Sequence, residues 1–122
     1  MPRSLFAILA FAGACGTSPD TRPETADYII DAILVPYCGR GGCHSSATQA
    51  GNLVFDTIPS SLAALSGSSR RGRLIVKGDA QTSRLYTVLV DTSRPMPPDQ
   101  PLADADVALI QRWIDDGAAG LP

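Results

Sequence analysis

The chain is short of most residues that bind metals or nucleic acids. Among its 122 residues there is one histidine, His44, and one lysine, Lys77. Its methionines are Met1 and Met96, and its cysteines are Cys15, Cys38 and Cys43. A single histidine excludes a histidine-rich metal site. It also excludes a Ser-His-Asp set, unless His44 is free of any other duty. Ten basic side chains face twelve acidic ones. A nucleic-acid binder carries a basic surplus, so no nucleic-acid partner is expected. Nine of the ten basic residues are arginine. No apolar run reaches the roughly 20 residues that span a bilayer as a helix. Few segments favour a sheet, and the length fits one domain.

What is present begins at the N-terminus. Arg3 precedes an apolar run over residues 5–14, and Ala12, Gly13 and Ala14 lead into Cys15. A short positive start, an apolar stretch and small residues form an export signal. With a cysteine at the break, the segment resembles a bacterial lipoprotein signal. That resemblance implies removal of residues 1–14 and lipidation of Cys15. An ordinary signal peptide with a chance cysteine is the plainer alternative. The expected location is the cell envelope, on the periplasmic side, lipid-anchored to a membrane. Exported cysteines can be oxidised or covalently modified. Residues 15–23 then form the lipidated N-terminus and a polar linker, and residues 24–122 the domain.

The domain reads as three or four short helices joined by long loops, an all-α pattern. Ile29, Ile30, Ile33 and Leu34 make a helical stripe, with Thr25 or Thr21 as cap and Pro36 expected to end or kink the helix. The segment "AGNLVF" suggests a short extended piece. "SSLAALSG" suggests a helical turn or two starting at Ser60 or Ser61 and stopping at Gly67. "SSRRGR" reads as a polar loop. A further helix carries Leu85, Val88 and Leu89 on one side, with Asp79 or Ser83 at its start. The clearest helix carries Val107, Ile110, Trp113 and Ile114. Leu102 and Val107 are spaced as a staple around Ala103, and Gly117 is a natural stop.

Chemistry concentrates in "CGRGGCHSS", where Cys38 and Cys43 are four residues apart and His44 follows directly. Three readings fit. A c-type haem attachment site normally reads C-x-x-C-H, two residues shorter. A structural zinc site needs about four ligands; three are here, and Cys15 could be a fourth only without lipidation. A Cys38–Cys43 disulfide in a haem-free exported binding module needs nothing more than the compartment. Gly39, Gly41 and Gly42 lie between the cysteines. Glycine reaches positive φ at little cost, so a longer loop can bulge while Cys43 and His44 stay adjacent.

Met96 is the other soft ligand. It sits in "SRPMPPDQP", where Pro95, Pro97, Pro98 and Pro101 stiffen the backbone. A lone methionine usually fills a core gap, but a rigid loop presenting one thioether also suits haem iron, which His and Met hold at raised potential. The pieces "CGRGGCHSS", "AGNLVFD", "IVKGDAQTSRLY", "RPMPPDQPL" and "ALIQRWIDDGA" occur in the order seen in class I c-type cytochromes. Over roughly residues 28–119 the chain resembles the short bacterial cytochrome c-like domains of exported lipoproteins.

The resemblance implies a small all-α cytochrome c-like fold around one haem c. It implies thioethers at Cys38 and Cys43, with His44 as proximal and Met96 as distal iron ligand. The first and last helices would cross beside the haem with Trp113 in their contact. The implied function is single-electron transfer to redox partner proteins, without enzymatic activity or a small-molecule substrate. A haem enzyme or gas sensor in which Met96 does not ligate is a further alternative. Arg70, Arg71 and Arg73 are candidates for neutralising haem carboxylates or an acidic partner, against the plainer reading of a solvated loop. Tyr37 and Trp113 are candidate pocket aromatics, against the plainer reading of core or core-edge aromatics. Asp115 and Asp116 read as a solvated helix end. The chain lacks a lysine-rich docking face.

Overall fold

The structure is a computed structural model that describes Gly16 and residues 18–122. The signal segment and Cys15 lie outside the described residues. The described chain is mostly helical, with one two-stranded ribbon.

Helix α1 covers residues 26–38 in three parts: an α turn Ala26–Ile29, a π-helical stretch Ile30–Leu34 and an α turn Val35–Cys38. Thr25 caps it by accepting from the Tyr28 amide at 3.4 Å. Ile29, Ile30, Ile33 and Leu34 are buried, as their stripe predicts. The expected break at Pro36 does not occur. Val35 donates to the Ile30 carbonyl, five residues back. The ladder is thus already shifted when Pro36 arrives in the first turn of the last part. A proline there forfeits little, because its missing donor interrupts no regular bond. The rod continues to Cys38 and stops at Gly39, whose amide donates to the Leu34 and Val35 carbonyls at 3.1 and 3.2 Å.

Helix α2, Ile58–Leu65, starts before the expected serines. Thr57 is its N-cap in a reciprocal capping box with Ser60, and Pro59 sits in the first turn. It packs on the π stretch of α1. The polar loop "SSRRGR" is a small hairpin. Strands β1, Ser68–Ser69, and β2, Gly72–Arg73, pair antiparallel with Ser68 opposite Arg73. Arg70 and Arg71 form its tip. The expected extended piece is a 3-10 turn, Ala50–Asn52, followed by extended Leu53.

Helix α3, Arg84–Leu89, follows a 3-10 turn Ala80–Thr82 that Asp79 caps. Ser83 is fully buried, accepting from the Val76 amide at 2.8 Å and donating to the Asp79 carbonyl at 2.7 Å. Helix α4, Asp104–Asp115, buries Leu109, Ile110, Trp113 and Ile114. Ala103 gives it no side-chain cap, and Asp104 and Asp106 occupy the first turn, where carboxylates complement the helix dipole. Leu102 is buried and Val107 packs against the same core. Asp115 is not simply solvated: it accepts from the Ala80 amide at 2.8 Å and docks the 3-10 turn.

The ends of the domain are tied together. The Ala119 carbonyl accepts from the Ala26 amide at 2.8 Å and from Trp113 Nε1 at 3.0 Å. The linker is also tied, from Asp20 onward. Arg22 pairs with Asp20 and Asp106, and Arg112 pairs with Asp20 and Glu24 at 3.0 and 2.8 Å. Arg22 also donates to the Ala105 carbonyl. Residues 20–24 are therefore a strap on α4, not free spacer.

Candidate functional site

The loop after α1 is built around Cys43 and His44. The His44 amide donates to the Cys38 carbonyl at 3.1 Å, which closes the loop between the cysteines. The Cys43 amide donates to Arg40 at 3.0 Å, and the Gly42 amide to Thr48 Oγ1 at 3.2 Å. The three glycines have different duties. Gly42 has φ +87°, the left-handed conformation that glycine adopts freely. Gly39 is needed for close approach: a Cβ there would lie 2.4 Å from the Phe55 carbonyl oxygen. A Cβ on Gly41 would meet open space.

Ala50 holds the other side of this pair. Its amide donates to the Cys43 carbonyl at 3.2 Å, and its carbonyl lies 2.7 Å from His44 Nδ1. A carbonyl only accepts, so Nδ1 is the donor in this contact, which leaves Nε2 as the nitrogen available to a metal. Metal-ligating histidines are oriented in this way. The Phe55 amide donates to the His44 carbonyl at 2.7 Å. The Phe55 ring stands edge-on to the imidazole at 5.6 Å and 80°. Five hydrogen bonds and one aromatic contact therefore fix the Cys43–His44 unit.

Cys38, Cys43, His44 and Met96 all line one open cavity of about 570 Å³. This is within the usual size of a small-molecule or cofactor site. Tyr37, Leu53, Phe55, Leu85, Val88 and Leu89 supply much of its apolar wall. The apolar side of α3 thus faces a cavity as much as a core. Met96 is 42% exposed, and its amide is anchored to the Val88 carbonyl at 3.0 Å. Tyr37 lines the cavity; Trp113 does not and is a core residue, the plainer of its two readings, and no residue of α4 lines the cavity.

The donor set distinguishes the chemistries left open by sequence. Cys38 and Cys43 are free thiols in the structure, not a disulfide. Burial, and then the neighbouring Cys43, push the Cys38 thiol up to about 11. It is therefore protonated at neutral pH. Among the described residues, no three His, Cys, Asp or Glu side chains converge on a metal position. A macrocyclic iron cofactor needs no such cluster. An apolar cavity lined by an imidazole, a thioether and two thiols is a donor set that suits such a cofactor.

Residues 41–100 match the family model described as Planctomycete cytochrome C. The match supports a cytochrome c-like domain. Proteins of this kind are generally electron carriers rather than enzymes, and the family implies haem c. The matched segment contains Cys43, His44 and Met96; Cys38, α1 and α4 lie outside it. No curated protein and no solved structure gave a significant match.

Sequence reasoning found the four chemically distinctive residues and missed their support. Ala50 acts through its backbone, which leaves no mark of residue type. Phe55 was visible only as part of "AGNLVFD". The arginines were only partly foreseen. Arg70 and Arg71 line the cavity, whereas Arg73 lies in a smaller pocket with Leu65, Lys77 and Leu121. Arg84 and Arg94 also line the main cavity. They are isolated in sequence, and only the fold gathers them.

Proposed function

We propose that this chain is a monohaem c-type cytochrome that carries single electrons in the bacterial cell envelope. Cys38 and Cys43 would hold the haem, His44 and Met96 would ligate its iron, and a lipid at Cys15 would anchor the protein to a membrane on the periplasmic side. One observation carries this reading: the sole histidine and the sole methionine other than Met1 line one apolar cavity together with both cysteines.

Bound there, haem supplies a one-electron ferrous–ferric couple. The chain's residues have separable roles. Ala50 keeps the His44 proton on Nδ1, so Nε2 is the ligating atom. The Pro95–Pro98 region presents the Met96 sulfur with little backbone freedom to lose. Leu53, Phe55, Leu85 and Val88 exclude water from the site. Each cysteine thiol would add its S–H across one haem vinyl double bond, which requires no oxidant. With His44 and Met96 both engaged on the iron, no site would remain for a substrate, and the role would be transfer to a redox partner protein.

The test is expression of the full chain with cytochrome c maturation proteins. A haem stain that survives denaturing electrophoresis supports covalent attachment. A colourless protein without free thiols would instead establish the disulfide-bonded, haem-free module.

A further inference from the structure

Three stretches of chain meet at Asp56. The Ser46 amide, two residues beyond His44, donates to Asp56 Oδ2 at 2.6 Å. Ser60 Oγ, inside α2, donates to Asp56 Oδ1 at 3.2 Å. Gly39, directly after Cys38, packs on the same backbone: a Cβ on it would lie 2.8 Å from the Asp56 Cα. Among the described residues, ion pairs form only at Arg22 and Arg112, so Asp56 serves no cation. Its two oxygens are divided between the His44 loop and α2.

The bond to Ser46 reaches the imidazole through one short turn. The Ser45 carbonyl accepts from the Thr48 and Gln49 amides at 3.2 and 2.8 Å. Gln49 Nε2 also donates to the Ser46 carbonyl at 3.0 Å. This turn, over residues 45–49, delivers the Ala50 carbonyl to His44 Nδ1. Its first end is held by the Phe55 amide on the His44 carbonyl at 2.7 Å. One such bond leaves a hinge. The Asp56 carboxylate adds a second bond beside it and so fixes the direction of the turn. An aspartate is ionised at neutral pH, and a hydrogen bond to an ionised acceptor is about twice as strong as a neutral one.

We propose that Asp56 is a positioning residue for His44: it clamps the turn that carries Ala50, and through Ala50 it holds the imidazole in its ligating orientation. The inference rests on the reading of His44 as an iron ligand. Asp56 does not line the cavity, so it acts through the turn and not on the cofactor. Partners of this kind, one step removed from the metal, orient ligating histidines. The competing role is structural. Asp56 precedes the N-cap of α2, where a carboxylate complements the helix dipole. The two roles use different oxygens, which makes them separable.

The test uses the full chain, isotope-labelled and haem-loaded, observed by NMR. In the ferrous wild type the Ser46 amide should exchange severalfold more slowly than its intrinsic rate, a measurement that needs no variant. Exchange of the His44 Nδ1 proton, and the His44 ring signals in the ferric state, read the ligand itself. Asp56→Ala should quicken that exchange severalfold and shift the ring signals. Asp56→Asn keeps an oxygen for Ser46 and gains an NH2 for Ser60 Oγ, so it should restore both to near wild type. Ser60→Ala weakens the start of α2 but spares the Ser46 bond. It should lower the melting temperature and leave the His44 signals in place. An unprotected Ser46 amide, His44 signals unmoved in Asp56→Ala, no rescue in Asp56→Asn, or a Ser60→Ala variant that moves the His44 signals would each overturn the proposal. Ser46 protection and the Ser60→Ala variant decide the matter if Asp56→Ala does not fold. Haem staining reads the cytochrome function separately. A haem-loaded protein whose His44 ignores Asp56 loses the positioning role alone. A wild type without covalent haem loses the ligand, and a protected Ser46 amide is then only a loop anchor.

Discussion

The carbonyl of Ala50 lies 2.7 Å from Nδ1 of His44, and the amide of the same alanine donates to the Cys43 carbonyl. One backbone unit therefore orients the imidazole and holds the adjacent cysteine. Ala50→Pro removes the amide donor and forces Gln49, which has φ +51°, toward an extended conformation. The expected outcome is a marked loss of covalent haem yield. Quantifying stained haem per mole of chain checks it, with Ala50→Ser, which keeps the backbone, retaining wild-type yield.

The glycines between the cysteines should respond unequally. Gly39→Ala places a Cβ against the Phe55 backbone and should cost about 1–3 kcal/mol or more, as overpacking does. Gly42→Ala imposes a left-handed conformation and should cost about 1–2 kcal/mol. Gly41→Ala should be nearly neutral. Denaturant unfolding of the three haem-loaded variants measures the order, and equal effects would refute the separate roles.

Two buried serines should behave in opposite ways. The hydroxyl of Ser61 is fully buried without a hydrogen-bond partner, so Ser61→Ala should be neutral or stabilise by about 1 kcal/mol. The hydroxyl of Ser83 bridges Val76 and Asp79. Ser83→Ala should cost about 1–3 kcal/mol, because it leaves those backbone groups buried and less satisfied. Melting temperatures of the two variants decide the matter.

The strap on α4 should be salt- and acid-sensitive. Arg112→Ala removes the partner of both Asp20 and Glu24. Hydrogen exchange at the amides of residues 20–22 and 24 should then quicken, as it should in the wild type at high salt. The Arg22 guanidinium, joined by its amide and by Arg112, holds the Asp20 carboxyl far below the usual carboxylate range. Its stabilisation is complete above the ordinary carboxylate pKa and is lost as pH falls toward the depressed value. Protection of these amides, measured relative to their intrinsic exchange rates, should therefore hold at neutral pH and fall only in strong acid.

Much of the site was legible because its residue types are rare. A chain with one histidine and one methionine besides Met1 leaves few alternatives for either, and the structure brings both to the cavity that Cys38 and Cys43 line. The stripes of α1 and α4 were equally plain, since burial repeats with the helical period. What stayed hidden depends on relations between distant residues or on the backbone. Pro36 looked like a helix end because nothing local announces a π turn before it. Thr57 was passed over as a cap in favour of serines three and four residues later. Gly39 and Gly42 look alike in sequence, yet one yields to Phe55 and the other turns the chain. Asp20, Arg22 and Glu24 read as linker until α4 supplied Asp106 and Arg112 as partners.

The central claim is that His44 and Met96 close on one haem from opposite chain segments. The measurement that tests it most directly is the weak far-red sulfur-to-iron band of the ferric protein, recorded for wild type and Met96→Ala. The account predicts the band in the wild type and its loss in the variant, with covalent haem retained in both. Absence of the band in the wild type, or its survival in Met96→Ala, would contradict it.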